Sequence, residues 1–241
     1  MVIAIIPARF NSSRFPGKPL ALINGRPMIL HVLNQARKIK GVDVLLVATD
    51  SDLIADVVKD SGGVVAMTGE HNSGTDRVAE VVNGYADDAI VLNIQGDLPF
   101  VNADVCEQLI KYLNNTPLAD VATPVIAQGK KEEKDYLNPN TVKAVFDINN
   151  KALYFSRRPI PDSGHFPYGH LPVWYRHIGV YAYRNAVLQR FSQLPQTELE
   201  KAERLEQLRM LHYGFNIRCV PVTSDCGPDI NCPSDLKWLS R

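Results

Sequence analysis

The sequence lacks an excess of charge of either sign, and it lacks any long apolar run. Lys and Arg together number 26 among the 241 residues, and Asp and Glu also number 26, so the composition does not favour a polyanionic partner such as nucleic acid. No stretch of about 18 apolar residues occurs. The first apolar run, VIAII, is too short for a signal peptide and is soon followed by Arg9. We therefore expect no membrane span and a cytoplasmic protein.

The cysteines also lack the spacing of a metal site. No C-x-x-C pair occurs, and the two closest cysteines are six residues apart with a proline between them, which is poor spacing for zinc. We therefore expect four reduced thiols, as is typical of a cytosolic protein. These thiols belong to Cys106, Cys219, Cys226 and Cys232.

Two well-known glycine-rich phosphate-binding motifs are missing as well. No G-x-G-x-x-G follows the first apolar run, which excludes the dinucleotide-binding fingerprint. The GKP at residues 17–19 has no Ser or Thr after its lysine and no glycine five residues before it, so it is not a P-loop. A phosphate site in this chain must therefore be built in another way.

What the sequence does contain is an alternation of apolar runs and amphipathic segments. VIAII and DVLLVATD (43–50) are rich in β-branched residues and do not alternate strictly, as expected of strands that are covered on both faces. Between them, apolar residues recur at helical spacing from Pro27 to Gly41. The unit repeats to about residue 130, so we predict an α/β fold with a mostly parallel central sheet and helices on both faces.

The alternation weakens after about residue 130. TVKAVFD and KALYFSR predict a hairpin, RHIGVYAYR predicts a strand, and ELEKAERLEQLRMLHYG predicts one long helix that ends at Gly214. No linker, low-complexity tract or internal repeat interrupts the chain. We therefore predict a single domain over residues 1–241, with a β-rich insertion at about 140–185.

The loop IPARFNSSRFPGKPL (6–20) carries three cations and no acid. Ligands of an open parallel sheet bind at the carboxyl ends of its strands, and this loop follows the first predicted strand. Asp97, in the motif NIQGD, ends a later strand. Cations from one loop that face a carboxylate from another suit a polyphosphate bridged to the protein by Mg²⁺. A solvated basic loop is the alternative.

Six motifs, in order along nearly the whole chain, resemble the 3-deoxy-manno-octulosonate cytidylyltransferases, or CMP-Kdo synthetases. The resemblance implies a Rossmann-like nucleotidyltransferase fold and the transfer of CMP from CTP to the anomeric hydroxyl of Kdo, an eight-carbon acidic sugar, with release of pyrophosphate. It also implies Mg²⁺ as cofactor, a homodimer and a place in lipopolysaccharide biosynthesis. The motifs are PARFNSSRFPGKPL, SGTDR (73–77), NIQGDLP (93–99), ALYFSR (152–157), RHIGVYAYR (176–184) and LEQLR (205–209).

The resemblance further implies roles for individual residues. The implied catalytic set is Arg14, Lys18 and Asp97, with Asp97 as a metal ligand. The implied nucleotide-binding residues are Arg9, Arg14, Lys18, Ser73, Gly74, Thr75 and Gln95. The implied ligands of the acidic sugar are Arg157, His177, Tyr181, Glu206 and Gln207. Arg157 is the natural partner of the sugar carboxylate because a guanidinium binds a carboxylate in a planar, bidentate manner.

Structural roles compete with several of these assignments. A helix cap explains the SGT segment (73–75) almost as well as a nucleoside pocket does. Glu206 and Gln207 lie beside a leucine stripe and would also suit a solvated helix face, and His177 would suit a hydrogen-bonded core position. Asp50, at the end of the second predicted strand, is expected to cap the helix that follows it.

The closing motif departs from the family at one position. Where the family has Val-Asp-Thr-Pro, whose aspartate is a second metal ligand, this chain has Asn231 within DINCPSDL. An amide oxygen binds Mg²⁺ without a charge, so the affinity should fall. Asp229 lies two residues earlier, on the same face of an extended segment, and we hypothesise that it takes over this role. 8-Amino-Kdo or another acidic sugar as acceptor, and a non-catalytic nucleotide-binding homologue, stay open as alternatives.

Overall fold

The computed structural model describes residues 1–11, 15–71, 73–129, 133–162, 173–230 and 232–236. In the first half of the chain, strands and helices alternate as the sequence predicts. The elements are β1 (Val2–Ala8), β2 (Leu22–Ile23), β3 (Arg26–Pro27), α1 (Met28–Ala36), β4 (Val44–Thr49), α2 (Asp52–Asp60), β5 (Val65–Met67), α3 (Gly74–Val82), β6 (Ile90–Ile94) and α4 (Ala103–Asn115).

The second half is richer in strands and in short helices. Its elements are β7 (Val121–Gln128), α5 (Glu133–Leu137), β8 (Lys143–Phe146), β9 (Ala152–Ser156), β10 (Trp174–His177), β11 (Val180–Arg184), α6 (Asn185–Ser192), α7 (Glu198–Glu203), α8 (Gln207–His212), β12 (Ile217–Val222) and α9 (Pro233–Leu236). The predicted hairpin is confirmed, because β8 and β9 pair antiparallel.

In the described part of the chain, ten strands form one mixed sheet. Its order is β5-β4-β1-β6-β11-β7-β10-β8-β9, and β12 pairs with β7 as well. The core strands β5, β4, β1 and β6 run parallel, as does β12 beside β7. The other neighbours pair antiparallel. The predicted α/β fold is confirmed, and strands β8 to β11 of the predicted insertion belong to the same sheet.

Both faces of the sheet are covered, and β1 shows why its sequence does not alternate. Ala4 and Ile6 pack on one face with residues of α1, α2 and α4. Ile3 and Ile5 pack on the other face with residues of α3, α6 and α8. Burying each isoleucine stabilises the fold by about 1.5–3 kcal/mol relative to leaving it exposed. β1 is therefore a central strand, and its carboxyl end opens onto the edge of the sheet where β4 and β6 also end.

The prediction of one long helix near residue 205 is wrong. The chain forms α7 and α8, separated at Arg204, whose backbone is left-handed with φ 53°. The break leaves the carbonyls of Glu203 and Arg204 outside a helical ladder, and the Arg157 guanidinium donates to both, at 2.8 and 3.3 Å. A contact from the residue that follows β9 thus compensates a break that local helix propensity does not predict.

Candidate active site

The opening loop and the QGD turn meet at the carboxyl ends of β1 and β6. A Cβ on Gly96 would lie 2.7 Å from the Pro7 carbonyl oxygen, so only glycine allows the two backbones to approach this closely. The Lys18 ammonium donates to Asp97 Oδ2 at 2.6 Å and to the Ile230 carbonyl at 2.9 Å. The Ile230 amide in turn donates to the Asp97 carbonyl at 3.0 Å. The C-terminal segment therefore anchors the predicted lysine and aspartate.

The other predicted phosphate and metal ligands are placed less completely. Arg9 follows β1 and is exposed. Arg14 and Asn231 lie outside the described residues. The convergence of three cations on one phosphate group therefore stays a prediction, and the described contacts of Lys18 are those with Asp97 and the Ile230 carbonyl.

A second carboxylate, that of Asp229, lies close enough to Asp97 for their charges to interact. Part of Asp229 is exposed to the cleft, but burial by the surrounding protein, followed by the negative charge of Asp97, raises its pKa to about 7. The positive charges of Arg176 and Lys18 oppose this rise. Because two interacting carboxylates favour a shared cation or proton, the Asp97–Asp229 pair has the donor chemistry of a Mg²⁺ site. Within the described residues, no three His, Cys, Asp or Glu side chains cluster in the manner of a metal site supplied by protein alone.

The N-terminus of α3 forms the next part of the site. Ser73 caps the helix, because its hydroxyl accepts from the Asp76 amide at 3.0 Å. The Asn93 amide group links two predicted residues, since it donates to Thr75 Oγ1 at 3.3 Å and accepts from Gln95 Nε2 at 3.1 Å. Gly74 packs against Pro7, so the helix begins directly beside the end of β1. Sequence reasoning missed Asn93, whose signal is a polar residue inside the apolar strand VLNI.

A polar cleft of about 700 Å³ is lined by two of the predicted nucleotide residues and by all five predicted sugar residues. It extends from the N-terminus of α3, past β10 and β11, to the segment that carries Asp229. Of the predicted residues, it is lined by Thr75, Gln95, Arg157, His177, Tyr181, Glu206, Gln207 and Asp229. The cleft therefore joins the Thr75 and Gln95 part of the predicted nucleotide site to the predicted sugar site, whereas Lys18 and Asp97 do not line it.

His177 is buried in the wall of this cleft with a defined tautomer. Its Nε2 lies 2.8 Å from Thr123 Oγ1, and the Thr123 hydroxyl lies 2.8 Å from the Val180 carbonyl. Because the hydroxyl has one hydrogen and donates it to that carbonyl, its oxygen accepts from Nε2–H. Burial, followed by the charge of Arg176, lowers the pKa of His177 to about 3, so the ring is neutral at physiological pH. Nδ1 is then a hydrogen-bond acceptor that no described residue occupies.

Arg157 also lines the cleft, and backbone carbonyls hold its side chain. Its guanidinium donates to the carbonyls of Glu203, Pro139 and Arg204 at 2.8, 3.0 and 3.3 Å. The Arg157 amide also donates to Glu203 Oε2 at 2.9 Å. The side chain is thus fixed in the cleft before any ligand arrives, and carboxylate binding by it stays a prediction.

Glu206 is the N-cap residue of α8 and Gln207 is its first residue, and both line the cleft. Burial raises the pKa of Glu206 to about 7, and a hydrogen bond from Thr75 opposes the rise. Gln207 is buried, and its Nε2 finds no hydrogen-bond partner among the described residues. A buried amide without a partner is costly, which points to a ligand that supplies one. The solvated helix face is therefore wrong for Gln207.

The Tyr181 ring packs against the rings of Tyr183 and His177. It lies 5.7 Å from that of Tyr183 and 5.5 Å from that of His177. Burial raises the pKa values of both tyrosines well above their usual range. Their hydroxyls therefore remain protonated and act as neutral hydrogen-bonding groups.

The expectation that Asp50 caps α2 is wrong. Ser51 is the N-cap residue, and Asp50 Oδ2 instead accepts from Arg77 Nη2 at 2.6 Å. Arg77 is only 2% exposed and also donates to Thr68. A buried guanidinium requires a counter-charge, and the parallel arrangement brings the end of β4 under α3 to supply it. Arg77 thus fixes the helix that carries Thr75.

Two further predictions concern membrane spans and the state of the cysteines. Along the described ranges, no helix is both long and apolar enough to cross a membrane. All four cysteines are free, and Cys106, Cys219 and Cys226 are buried. Burial raises the pKa of the Cys106 and Cys219 thiols, so these thiols are unreactive packing groups.

Together, the fold and the site define a Rossmann-like nucleotidyltransferase architecture. The chain belongs to the cytidylyltransferase family, which its residues 3–217 match. The 3-deoxy-manno-octulosonate cytidylyltransferase of Acaryochloris marina is 45% identical to it, over 98% of this chain and 94% of the relative. The 8-amino-3,8-dideoxy-manno-octulosonate cytidylyltransferase of Shewanella pealeana is also 45% identical, over 98% and 96% of the two chains.

A solved structure is similar over nearly the whole length. It is that of CMP:2-keto-3-deoxy-manno-octonic acid synthetase complexed with CTP, with a TM-score of 0.89 and 41% identity. The similarity covers 99% of this chain and 96% of that chain. The fold predicted from the motifs is thereby confirmed.

Proposed function

We propose that this protein is a cytidylyltransferase that couples CTP to Kdo, releasing pyrophosphate and giving CMP-Kdo for lipopolysaccharide biosynthesis. The observation that carries the proposal is the shared cleft, which Thr75 and Gln95 line together with Arg157 and His177. Such a cleft holds a nucleotide and a second polar substrate side by side. Relatives named for this activity and the similar CTP complex support the assignment.

On the nucleotide side, the task of the protein is to position the triphosphate and to neutralise charge. Nucleotidyl transfer builds negative charge on the α-phosphate and on the departing pyrophosphate. Lys18, fixed between the two acceptors Asp97 and Ile230, presents its ammonium at the end of β1 for the α-phosphate. Arg9 and Arg14 of the same loop bind the outer phosphates.

We assign Mg²⁺ to the Asp97–Asp229 pair. Two carboxylates on adjoining segments are hard oxygen donors, and Mg²⁺ completes its shell with phosphate oxygens and water. The ion would neutralise the triphosphate and lower the pKa of the attacking sugar hydroxyl. Asp229 then supplies the charge that Asn231 lacks.

On the sugar side, the groups differ in what they recognise. Arg157 binds the sugar carboxylate, since a guanidinium fixed by backbone carbonyls is already oriented. Neutral His177 accepts a hydrogen bond from a sugar hydroxyl at Nδ1. Gln207 donates from its buried Nε2, and Tyr181 and Glu206 bind further hydroxyls. Each of these contacts matches a polyhydroxylated acid.

A second acceptor, 8-amino-Kdo, is favoured by one specific observation. The Shewanella pealeana relative named for that sugar is as similar to this chain as the Acaryochloris marina relative is. Replacing one hydroxyl by an amine changes a single contact, which Glu206 or another acceptor in the cleft accommodates. The two acceptors therefore have to be compared directly.

A pyrophosphate-release assay of four nucleoside triphosphates against Kdo, 8-amino-Kdo and sialic acid tests the proposal. We expect turnover with CTP and one of the two octulosonates, and a loss of at least about a hundredfold in kcat for Lys18→Ala. No CTP-dependent signal above that of Lys18→Ala would contradict the proposal. CTP binding in calorimetry without turnover of any acid sugar would indicate a non-catalytic homologue.

The metal assignment has a test that does not depend on activity. Mn²⁺ binding in the presence of CTP, followed by electron paramagnetic resonance, should weaken by about tenfold or more in Asp229→Asn. Asp88→Asn, which alters an exposed carboxylate outside the cleft, is the matched control. Equal Mn²⁺ affinity in both variants would exclude Asp229 as a ligand.

We also propose a cytoplasmic homodimer whose contact includes residues 140–185. Ile148 and Leu153 support this, because they are 97% and 60% exposed in the hairpin of that segment, and exposed apolar side chains are common at subunit contacts. Light scattering should give the mass of two chains. An Ile148→Asp, Leu153→Asp double variant should give the mass of one, and a monomeric parent protein would refute the proposal.

A further inference from the structure

Lys143 is fully buried at the start of β8, next to the sugar side of the cleft. Its ammonium donates to three backbone carbonyls: those of Thr141 and Arg157, each at 2.6 Å, and that of Asn138 at 3.0 Å. An ammonium has three N–H groups, so these contacts use all of them. Among the described residues, no carboxylate forms an ion pair with Lys143.

The three acceptors belong to residues that line the cleft. Asn138 and Thr141 lie in the turn between α5 and β8, and Arg157 follows β9. The Arg157 guanidinium returns to the same turn through the Pro139 carbonyl at 3.0 Å. Two cations thus clamp the 138–141 turn onto the end of β9, and the position of Arg157 depends on the Lys143 contact with its carbonyl.

The charges around Lys143 leave this wall of the cleft electropositive. Glu203 of α7 is the nearby acid, and it is held by Ser156 Oγ at 2.6 Å and by the Arg157 amide. Arg176, the cross-strand neighbour of Lys143, is already paired with Asp225. Asp135 of α5 lines the cleft but is exposed, so solvent screens its charge. Among the described residues, Lys143 therefore has no carboxylate of its own, and the acid near it, Glu203, is already hydrogen-bonded to Ser156 and to the Arg157 amide.

The titration of Lys143 agrees with this excess of positive charge. Burial, followed by the positive charge of Arg157, lowers its pKa to about 8, and Glu203 only partly opposes the shift. The neutral amine that forms above this pH has one N–H fewer than the ammonium. It therefore cannot hold all three carbonyls, and it no longer contributes a charge to the wall.

We infer that Lys143 is a positioning residue for the anionic substrate, holding Arg157 and the 138–141 turn in place and keeping their wall of the cleft electropositive. The inference rests on the proposed function, since it assigns this wall to the carboxylate of the acid sugar. It predicts that Lys143 acts on the sugar half of the reaction and leaves the nucleotide half unchanged.

Steady-state kinetics of Lys143→Met test the inference, with Lys151→Met as the matched control. Lys151 is an exposed lysine of the same β8–β9 hairpin and does not line the cleft. For Lys143→Met, we expect the KM for the acid sugar to rise about tenfold or more, with the KM for CTP within about twofold of the parent value. For Lys151→Met, both values should stay within about twofold. Parallel changes in both KM values, or no change in either, would overturn the inference.

The pH profile of the unmodified protein is an independent readout. The KM for the acid sugar should rise above about pH 8, as Lys143 loses its proton, while the KM for CTP stays level. Glu206, which titrates near 7, contributes below this window. If Lys143→Met fails to fold and does not bind CTP in calorimetry, this profile decides, and a level sugar KM from pH 7.5 to about 9.5 would overturn the inference.

The failure of this inference differs from the failure of the proposed function. Absence of turnover by the unmodified protein with any acid sugar overturns both. Turnover by the unmodified protein, with an unchanged sugar KM in Lys143→Met, overturns the positioning role of Lys143 alone.

Discussion

Gly96→Ala perturbs the contact on which the geometry of the candidate site depends. The added Cβ would lie 2.7 Å from the Pro7 carbonyl oxygen, about 0.7 Å inside an ordinary contact distance, and the neighbour is backbone that cannot rotate away. Overpacking of this kind destabilises the fold by about 1–3 kcal/mol. Replacing glycine by alanine also lowers the conformational entropy of the unfolded chain, which offsets about 0.4–1 kcal/mol of that loss. We expect the free energy of unfolding to fall by about 1–2 kcal/mol.

A backbone shift that relieves this clash also moves Asp97 relative to Lys18. Asp97 directly follows Gly96, and Lys18 Nζ lies 2.6 Å from its carboxylate. A misplacement of about 1 Å can reduce catalysis about a hundredfold, so we expect kcat/KM for CTP to fall by about 10–100-fold. The free energy of unfolding is measured by urea unfolding. In thermal unfolding, the melting temperature should drop by about 2–8 °C. Activity is measured by pyrophosphate release.

Gly69→Ala is the matched control for this experiment. Its new Cβ would meet only the flexible end of Glu80, at 3.8 Å, so stability and activity should be unchanged. If Gly96→Ala behaved like this control, the close approach of the β1 and β6 ends would have no role in placing Asp97, and the account of the site would be refuted.

Two other substitutions probe the support of the cleft. Arg77→Met removes the buried partner of Asp50 and should lower the free energy of unfolding by about 2–3 kcal/mol in urea titrations; a loss below about 0.5 kcal/mol would show that the Arg77–Asp50 pair does not fix α3. Thr123→Val leaves the Nε2–H of His177 buried without an acceptor. It should cost about 1–3 kcal/mol of stability and raise the KM for the acid sugar but not that for CTP. Equal kinetic constants in the variant and the parent would exclude orientation of His177 by Thr123.

The central part of the fold and one contact of the site follow from local patterns. Strands such as β1 are apolar at every position because both faces are covered, so the absence of alternation indicates a buried sheet. The rule that ligands bind at the carboxyl ends of parallel strands then places Lys18 beside Asp97. This inference needs only that the two strands run parallel in one sheet, which the alternation indicates.

The break between α7 and α8 could not be predicted in this way. Every residue from Glu198 to Leu205 suits a helix, but Arg204 adopts a left-handed conformation. The contacts that compensate it come from Arg157, 46 to 47 positions earlier in the chain. No local window contains that information, and a helix-propensity argument therefore joins the two helices.

Asp50 was misjudged, and Lys143 was missed, for a related reason. In TVKAVFD, a lysine is typical of the solvent side of a half-exposed strand, yet the 138–141 turn and the end of β9 cover it with carbonyls. Asp50 precedes a helix, where capping is the usual role of an aspartate, but a buried arginine on another helix binds it instead. In both cases a long-range ion or hydrogen bond replaces the local one.

The bond between Lys18 and the Ile230 carbonyl spans 212 positions of the chain. During synthesis on the ribosome, the basic loop emerges early, whereas the segment that anchors its lysine emerges only after β12. Closing so wide a loop costs entropy that the completed sheet has to offset. A nascent chain would therefore expose its phosphate-binding loop long before the loop is fixed, and a chain truncated before residue 230 would keep most of its core yet lose the anchor of Lys18.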